Sequence, residues 1–316
     1  MKLLHITICM LGLLCLNALA LPRRMTGQWY YIADGFETAH IYKVAPDWLK
    51  GAGNTISLAF MNPEDLLNKP DPVPEVFKSV TSNMKALNKT IFFSFGGYGY
   101  AEKWSWLRDS GSSRRAGVNA AQIAKKYGVG MEIDYEGSYN PLNGVVSFIE
   151  GFRSICPMGE CVLSMDFYGS PGGQEWQRDV VSRVVPSGNP GQRVGDGNFL
   201  DLVNVMVIDA VDVKTAQMFW GQWRDTKKLN LARATFGLLS GSYEGNTISI
   251  CKGDQSARNN IDSAVGFLEP LNVYGYMSWA ICPPAAGQLK SCADWEVPCN
   301  DNAPGFNYLC KKINAC

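Results

Sequence analysis

The chain has almost no histidine. His5 falls in an apolar amino-terminal stretch, which leaves His40 as the other of the two. Ser-His-Asp, Cys-His and histidine-ligated zinc chemistry would all depend on that one imidazole, so these classes are set aside. A Gly-rich phosphate loop followed by Lys-Ser or Lys-Thr is also lacking. Lys plus Arg and Asp plus Glu number 29 each, so the formal charge is zero, and no basic run occurs. Nucleic acid and anionic membranes are therefore poor partners. No metal or other cofactor is implied, and a monomer is expected. What remains as chemical equipment is carboxylates, tyrosines and tryptophans, the toolkit of carbohydrate-active proteins.

Residues 1–20 have the layout of a secretory signal. Lys2 gives the positive start, Ile6 to Leu16 an apolar core, and Ala18-Leu19-Ala20 a small-x-small cleavage pattern. An uncleaved anchor is the alternative, but the apolar run is short for a membrane span and no later run is long enough. A secreted, extracellular protein is expected. Removing the signal takes Cys9 and Cys15 and leaves Cys156, Cys161, Cys251, Cys282, Cys292, Cys299, Cys310 and Cys316. An even number in a secreted chain reads as disulfides, and an oxidising compartment argues against metal ligation. Cys156 and Cys161 are close enough to pair locally; the other pairings stay open. Asn88-Lys89-Thr90 is a glycosylation sequon.

Short β-like runs recur along the chain, each followed by a helical pattern. The candidate strands are Gln28 to Ile32, Thr55 to Phe60, Thr90 to Phe95, Val129 to Glu136, Cys161 to Phe167, Leu202 to Ile208, Thr235 to Leu239 and Val273 to Trp279. Between them, Ala120, Ile123, Ala124 and Tyr127 take helical spacing, with Gly128 as terminator. Ala216, Phe219, Trp220 and Trp223 repeat the pattern, as do Ile261, Ala264, Val265 and Leu268. Eight strands alternating with helices predict an α/β fold, a (β/α)8 TIM barrel over 21–282; an open doubly wound sheet is the alternative. Residues 283–316 form a Pro- and Cys-rich extension, too short for its own core.

The most informative stretch is Gly128 to Glu136. Glu132, Asp134 and Glu136 fall at every second position, so a strand would project all three to one face, with Met131, Ile133 and Tyr135 opposite. Such a row of like charges costs free energy and is tolerated more readily at a site than in a scaffold. A charged edge strand is the other reading. The glycine ahead of the row and the interleaved apolar residues favour a buried strand with a site at its carboxyl end.

At these positions the chain resembles glycoside hydrolase family 18, the chitinases and chitinase-like proteins. The fourth-strand signature Asp-Gly-x-Asp-x-Asp-x-Glu falls on Val129-Gly130-Met131-Glu132-Ile133-Asp134-Tyr135-Glu136. Ser94-Phe95-Gly96-Gly97 matches the third-strand Ser-x-Gly-Gly, and Asn54 to Phe60 the second-strand Asn-x-Ile-x-x-Ala-Phe. Asn204-Val205-Met206-Val207-Ile208-Asp209 lies on the sixth-strand Asn-x-Met-x-Tyr-Asp. Gly275-Tyr276-Met277-Ser278-Trp279 lies on the eighth-strand Gly-x-Met-x-Trp. The resemblance implies retaining, substrate-assisted hydrolysis of β-1,4-linked N-acetylglucosamine polymers, in which the substrate's acetamide is the nucleophile. Glu136 would be the general acid, kept protonated by its acidic neighbours. Asp134 would stabilise the oxazolinium ion and Glu132 would support it. Trp279 would floor the distorted sugar. Asp209 and Met206 would line the substrate site, and Gly96 and Gly97 would permit close approach of substrate or backbone.

Three residues depart from the pattern. Val129 and Glu132 replace aspartates, and Ile208 stands where the family has the tyrosine that donates to the acetamide. Deleting one donor to developing charge costs on the order of 10²–10³ in rate. Tyr168 and Tyr243 are the candidate replacements. A short connection between strands seven and eight implies an open cleft, and Trp104, Trp106 and Trp176 are candidate sugar-stacking residues in loops. A catalytically weak chitin-binding lectin is the alternative function, an endo-β-N-acetylglucosaminidase acting on N-glycans a further one. A small chitin-binding module is the alternative reading of the extension.

Overall fold

The end of one helix sets the frame of the site. Asp109 caps a helix over Ser110–Tyr127 by accepting from the Ser112 amide, and Gly128 ends it in the left-handed conformation at φ 59°. A left-handed residue is what a helix needs to release the chain after its last turn, and glycine adopts it without a Cβ penalty. The released chain enters the strand Gly130–Asp134 directly. A second helix, Leu142–Ile155, follows that strand and packs on the first. The contact is close because it is built on glycine: a Cβ at Gly117 would lie 2.0 Å from the Phe148 carbonyl oxygen, and one at Gly151 2.1 Å from that of Arg114.

The computed structural model describes residues 21–31, 53–169, 175–185, 199–207, 210, 212–225, 229–239, 255–281 and 304–315. Eight parallel strands close into a barrel in chain order: β1 Met25–Tyr31, β2 Thr55–Met61, β3 Thr90–Gly96, β4 Gly130–Asp134, β5 Leu163–Tyr168, β6 Leu202–Met206, β7 Ala234–Leu239 and β8 Gly275–Ile281. Among the described residues, the helices longer than two turns are α1 Glu75–Ala86, α2 Ser110–Tyr127, α3 Leu142–Ile155, α4 Glu175–Val184, α5 Val213–Asp225, α6 Gln255–Leu268 and α7 Pro304–Lys312. This is the expected (β/α)8 barrel, and every candidate strand has its counterpart within a few residues.

Alternation along the strands divides the apolar residues into two layers. Met131, Ile133 and Tyr135 join the large cluster between sheet and helices. Met25, Trp29, Ala59, Phe92, Met206 and Met277 form a smaller one. Val129 belongs to the helix-facing layer, three residues from Glu132 and so on the opposite face. An aspartate there would not reach its neighbours from within the barrel.

The start of β5 is tied down by a buried ion pair. Arg153 of α3 donates to Asp201 at 2.6 Å and to the Cys161 carbonyl at 2.9 Å, while Asp201 accepts from the Leu163 amide at 2.7 Å. The expected local disulfide, Cys156 to Cys161, closes the turn just before it. At the barrel's amino end, α7 lies against β1 and α6. There Tyr308 donates to Asp262 at 2.8 Å, and Asn54 donates to the Ala315 carbonyl at 2.8 Å. Cys310 of α7 is disulfide-bonded. Among the described residues, no helix is long and apolar enough to cross a membrane. The leader, His40, Ile208, Asp209, Tyr243, Cys251, Cys282, Cys292, Cys299 and Cys316 lie outside the described residues.

Candidate active site

β4 brings two of the three carboxylates inside the barrel. Glu132 is 0% and Asp134 2% exposed. The strand ends at Asp134, whose carbonyl accepts from the Gly97 amide at 2.9 Å, so Glu136 stands two residues beyond it and half-buried. The expected row is therefore two interior acids and one at the carboxyl-end rim. Gly96, Gly97, Phe60, Tyr168, Met206 and Trp279 all sit toward that same end of their strands.

Glu132 is anchored from three other strands. Its Oε1 accepts from Trp29 Nε1 of β1 at 2.7 Å and Ser57 Oγ of β2 at 2.6 Å, and its Oε2 accepts from Asn204 Nδ2 of β6 at 2.6 Å. Asn204 Nδ2 also donates to Asp166 Oδ1 of β5 at 2.8 Å, while its own Oδ1 accepts from Thr235 of β7. Asp166 is 1% exposed. Three buried carboxyls therefore share one interior. Sequence reasoning found Glu132 and Asp134 but gave no site role to Trp29, Asp166 and Thr235, and noted Ser57 and Asn204 only as motif residues. The signal for Asp166 was available, since it alternates with Ser164 and Tyr168 opposite the apolar Leu163, Met165 and Phe167.

Burial raises all three carboxyls, by different amounts. Asp134 is pushed well above the ordinary range by desolvation, then by the charges of Glu136 and Glu132. Asp166 is likewise pushed well up by desolvation and then by the charges of Glu132 and Asp134, against the Asn204 hydrogen bond. For Glu132 burial again leads, but hydrogen bonds led by those from Ser57 and Trp29 oppose it. Groups so close titrate as a set.

The rim is aromatic on the opposite side. Trp279 stacks on Phe60 with ring centroids 5.5 Å apart and an 18° interplanar angle, and tilts against Trp29 at 6.3 Å. Gly97 makes room for this stack: its φ is +79°, and a Cβ there would come within 2.6 Å of the Phe60 ring. Gly96, at φ +119°, allows the Asp134 carbonyl to approach where a Cβ would be 2.0 Å away. The close approach expected at these glycines is thus to β4 and to an aromatic ring. Tyr168 ends β5 and donates its hydroxyl to the Glu136 carbonyl at 3.2 Å.

The three candidate stacking tryptophans are core residues. Trp104, Trp106 and Trp176 are 0%, 6% and 4% exposed. The 3₁₀ segment Tyr98–Arg108 turns Trp104 and Trp106 inward, onto Phe95 and Phe148, and Trp104 and Trp176 pack edge-on against Tyr135. They hold the base of the Glu136 loop from beneath: Tyr135 donates to the Tyr139 carbonyl at 2.8 Å, and Tyr139 donates to that of Trp104.

No protein-family model matches the chain, and no curated protein sequence does. Solved structures match it in fold. A GH18 chitinase from Pseudoalteromonas aurantia is 13% identical over 90% of this chain and 99% of that one, with a TM-score of 0.62. The Group IV chitinase of Ostrinia furnacalis, solved with allosamidin, is 12% identical over 92% and 99%, with a TM-score of 0.57. The spore cortex-lytic enzyme SleL of Bacillus megaterium is 9% identical over 82% and 71%, with a TM-score of 0.51. Identities this low show a common fold, the closed (β/α)8 barrel, and nothing finer.

Proposed function

We propose that the chain is a secreted glycoside hydrolase of the chitinase type, cleaving β-1,4-linked N-acetylglucosamine polymers with retention. The observation that carries this reading is the placement of Asp134 and Glu136 at the carboxyl end of β4, on the barrel face where such folds place their chemistry. Glu136, at the rim, is the general acid that protonates the leaving oxygen. Asp134 is the partner of the oxazolinium ion. Its Oδ1 has no hydrogen-bond partner among the described residues, so no bond has to break there when the side chain turns toward the acetamide. Positive charge developing beside Asp134 offsets the burial cost that keeps it protonated. Glu132 holds a fixed negative charge beneath, and Trp279 on Phe60 offers an apolar face to a sugar ring. Asp209 and Met206 complete the substrate site in this reading, with Tyr243 a candidate donor.

One observation favours a binding protein with little turnover. The Tyr168 hydroxyl is engaged with the Glu136 carbonyl, so acting as the acetamide donor would require it to give up that bond. The test is release of fluorophore from chitooligosaccharides by wild type and Glu136→Gln, with binding to chitin measured in parallel. Wild-type turnover lost by about 10² or more in the variant, with binding kept, is expected. Binding by both with release by neither would select the lectin. Release from high-mannose glycoprotein but not from chitin would move the substrate to N-glycans.

A further inference from the structure

Asp166 has no counterpart among the motifs that carry the resemblance, yet it sits among the proposed catalytic carboxyls. It is held there by the backbone. β4 and β5 pair Ile133 with Met165, so one step further along that register Asp134 and Asp166 stand side by side on neighbouring strands. β5 and β6 pair Asp166 with Asn204 itself.

The hydrogen bonds around this residue leave one proton to be assigned. Asp166 Oδ1 accepts from Asn204 Nδ2. Oδ2 is buried and receives no N–H or O–H from any described residue. The two carboxyls meet on one amide: Asn204 Nδ2 donates to Asp166 Oδ1 at 2.8 Å and to Glu132 Oε2 at 2.6 Å. Two buried carboxylates sharing one neutral amide would leave a negative charge uncompensated, so one of the two carries a proton. Glu132 already accepts from three donors, Trp29, Ser57 and Asn204, which is the environment of an anion. Asp166 accepts from one.

We propose that Asp166 is a resident carboxylic acid, protonated beside an anionic Glu132 with which it shares the Asn204 amide, so that the pair carries a single negative charge beneath Asp134. This makes Asp166 a positioning residue: it keeps the charge of the pair at one and holds the amide that orients Glu132. The charged or titratable groups facing Asp166 are Glu132 and Asp134 on β4 and Glu136 beyond it, with Asn204 as the neutral contact from β6. Burial and all three acids disfavour its ionisation, and the Asn204 hydrogen bond opposes them.

The role of this pair rests on the hydrolase reading; the position of the proton does not, and the two are separable. The direct measurement is carbon-13 NMR of the aspartate side-chain carboxyls in the full chain, with the Asp166 signal assigned by its absence in Asp166→Asn. The expected signal stays in its protonated position through neutral pH. An Asp166 titration in the ordinary carboxylate range, near pH 4, would overturn the proposal, whatever the protein's activity. The second arm is turnover. Asn is neutral, has the same shape and can still accept from Asn204, so Asp166→Asn should stay within about threefold of wild type with an unchanged pH profile. Asp166→Ala removes that acceptor and should lose about tenfold or more. An Asn variant as impaired as the Ala variant, or with its alkaline limb displaced, would mean that Asp166 acts as an anion. Absence of turnover in the wild type would defeat the hydrolase reading and leave the titration to decide the proton.

Discussion

Trp29→Phe should cost far more than the loss of a ring edge, because its indole N–H points at a buried charge. Trp29 is 1% and Glu132 0% exposed, and the bond between them is 2.7 Å long. A hydrogen bond to a charged group contributes about 1.5–3 kcal/mol, and a buried carboxylate that loses one donor has no water to replace it. Phe also leaves some of the indole volume empty, which adds a packing cost unrelated to the bond. A double-mutant cycle with Glu132→Gln removes that common cost and leaves the interaction, expected at about 1.5–3 kcal/mol near neutral pH. The pH dependence follows from the same bond. Trp29 is one of the donors that oppose the burial-driven rise of Glu132. The Trp29→Phe penalty is therefore full while Glu132 is ionised and shrinks as the pH falls through its raised folded value. Urea unfolding followed by far-ultraviolet circular dichroism is the appropriate assay, since tryptophan emission changes with the substitution. A coupling energy within about 0.5 kcal/mol of zero at neutral pH would mean that Glu132 is not the anion of the cluster.

Stability should also fall as the pH rises. Asp134 and Asp166 bind protons more tightly folded than unfolded, so each lowers stability from the ordinary carboxylate pKa, near 4, up to its raised folded value, by at most about 1.4 kcal/mol per pH unit. Below that window neither contributes. Asp134→Asn removes one share, and denaturation from about pH 4 to pH 8 should show a flatter slope; an unchanged slope would refute the assignment. Gly97→Ala forces a Cβ against the Phe60 ring at a positive φ, so it should destabilise by about 1–3 kcal/mol and raise KM more than it lowers kcat. An unaltered KM would separate the Phe60–Trp279 stack from substrate binding. Glu132→Asp restores the residue type of the family signature yet should lower the melting temperature, by about 1–3 kcal/mol of stability. Its shorter side chain cannot meet Trp29, Ser57 and Asn204 together, and a variant as stable as wild type would show that the reach is dispensable.

The architecture was legible because strand and helix periods are local. Ala120, Ile123, Ala124 and Tyr127 announce α2, Gly128 announces its end, and the alternation from Met131 to Tyr135 announces β4. Strand ends were less legible: β4 stops at Asp134, since Gly97 takes its carbonyl, and nothing near Asp134 in sequence reveals a partner from β3. The site was legible where a motif is contiguous and illegible where it is assembled. Trp29, Ser57, Asp166 and Asn204 come from four strands and meet only because the barrel closes. The misreading of Trp104, Trp106 and Trp176 has a related cause. Loop position suggested exposure, but an aromatic layer beneath the Glu136 loop absorbs all three, and composition cannot distinguish a stacking surface from a core.

The departure at Glu132 is best understood together with Asp166. A carboxylate lengthened by a methylene extends across the interior, away from its own strand, and an isolated charge placed there would be costly. Here it meets donors from β1, β2 and β6, and it shares the β6 amide with a carboxyl of β5. Were Asp166 apolar, that amide would lose an acceptor in a dry interior. Were it a fixed cation, the negative charge beneath Asp134 would be neutralised, and with it one of the two charges that keep Asp134 protonated. A carboxylic acid satisfies the hydrogen bond and preserves the charge. The same argument explains why Val129 can differ from the family's aspartate without consequence for this network, since its side chain lies in the helix-facing layer. In the proposed reading, turnover therefore rests less on the altered β4 signature, whose carboxylate is held from neighbouring strands, than on a hydroxyl donor to stand in for the tyrosine of the sixth-strand motif.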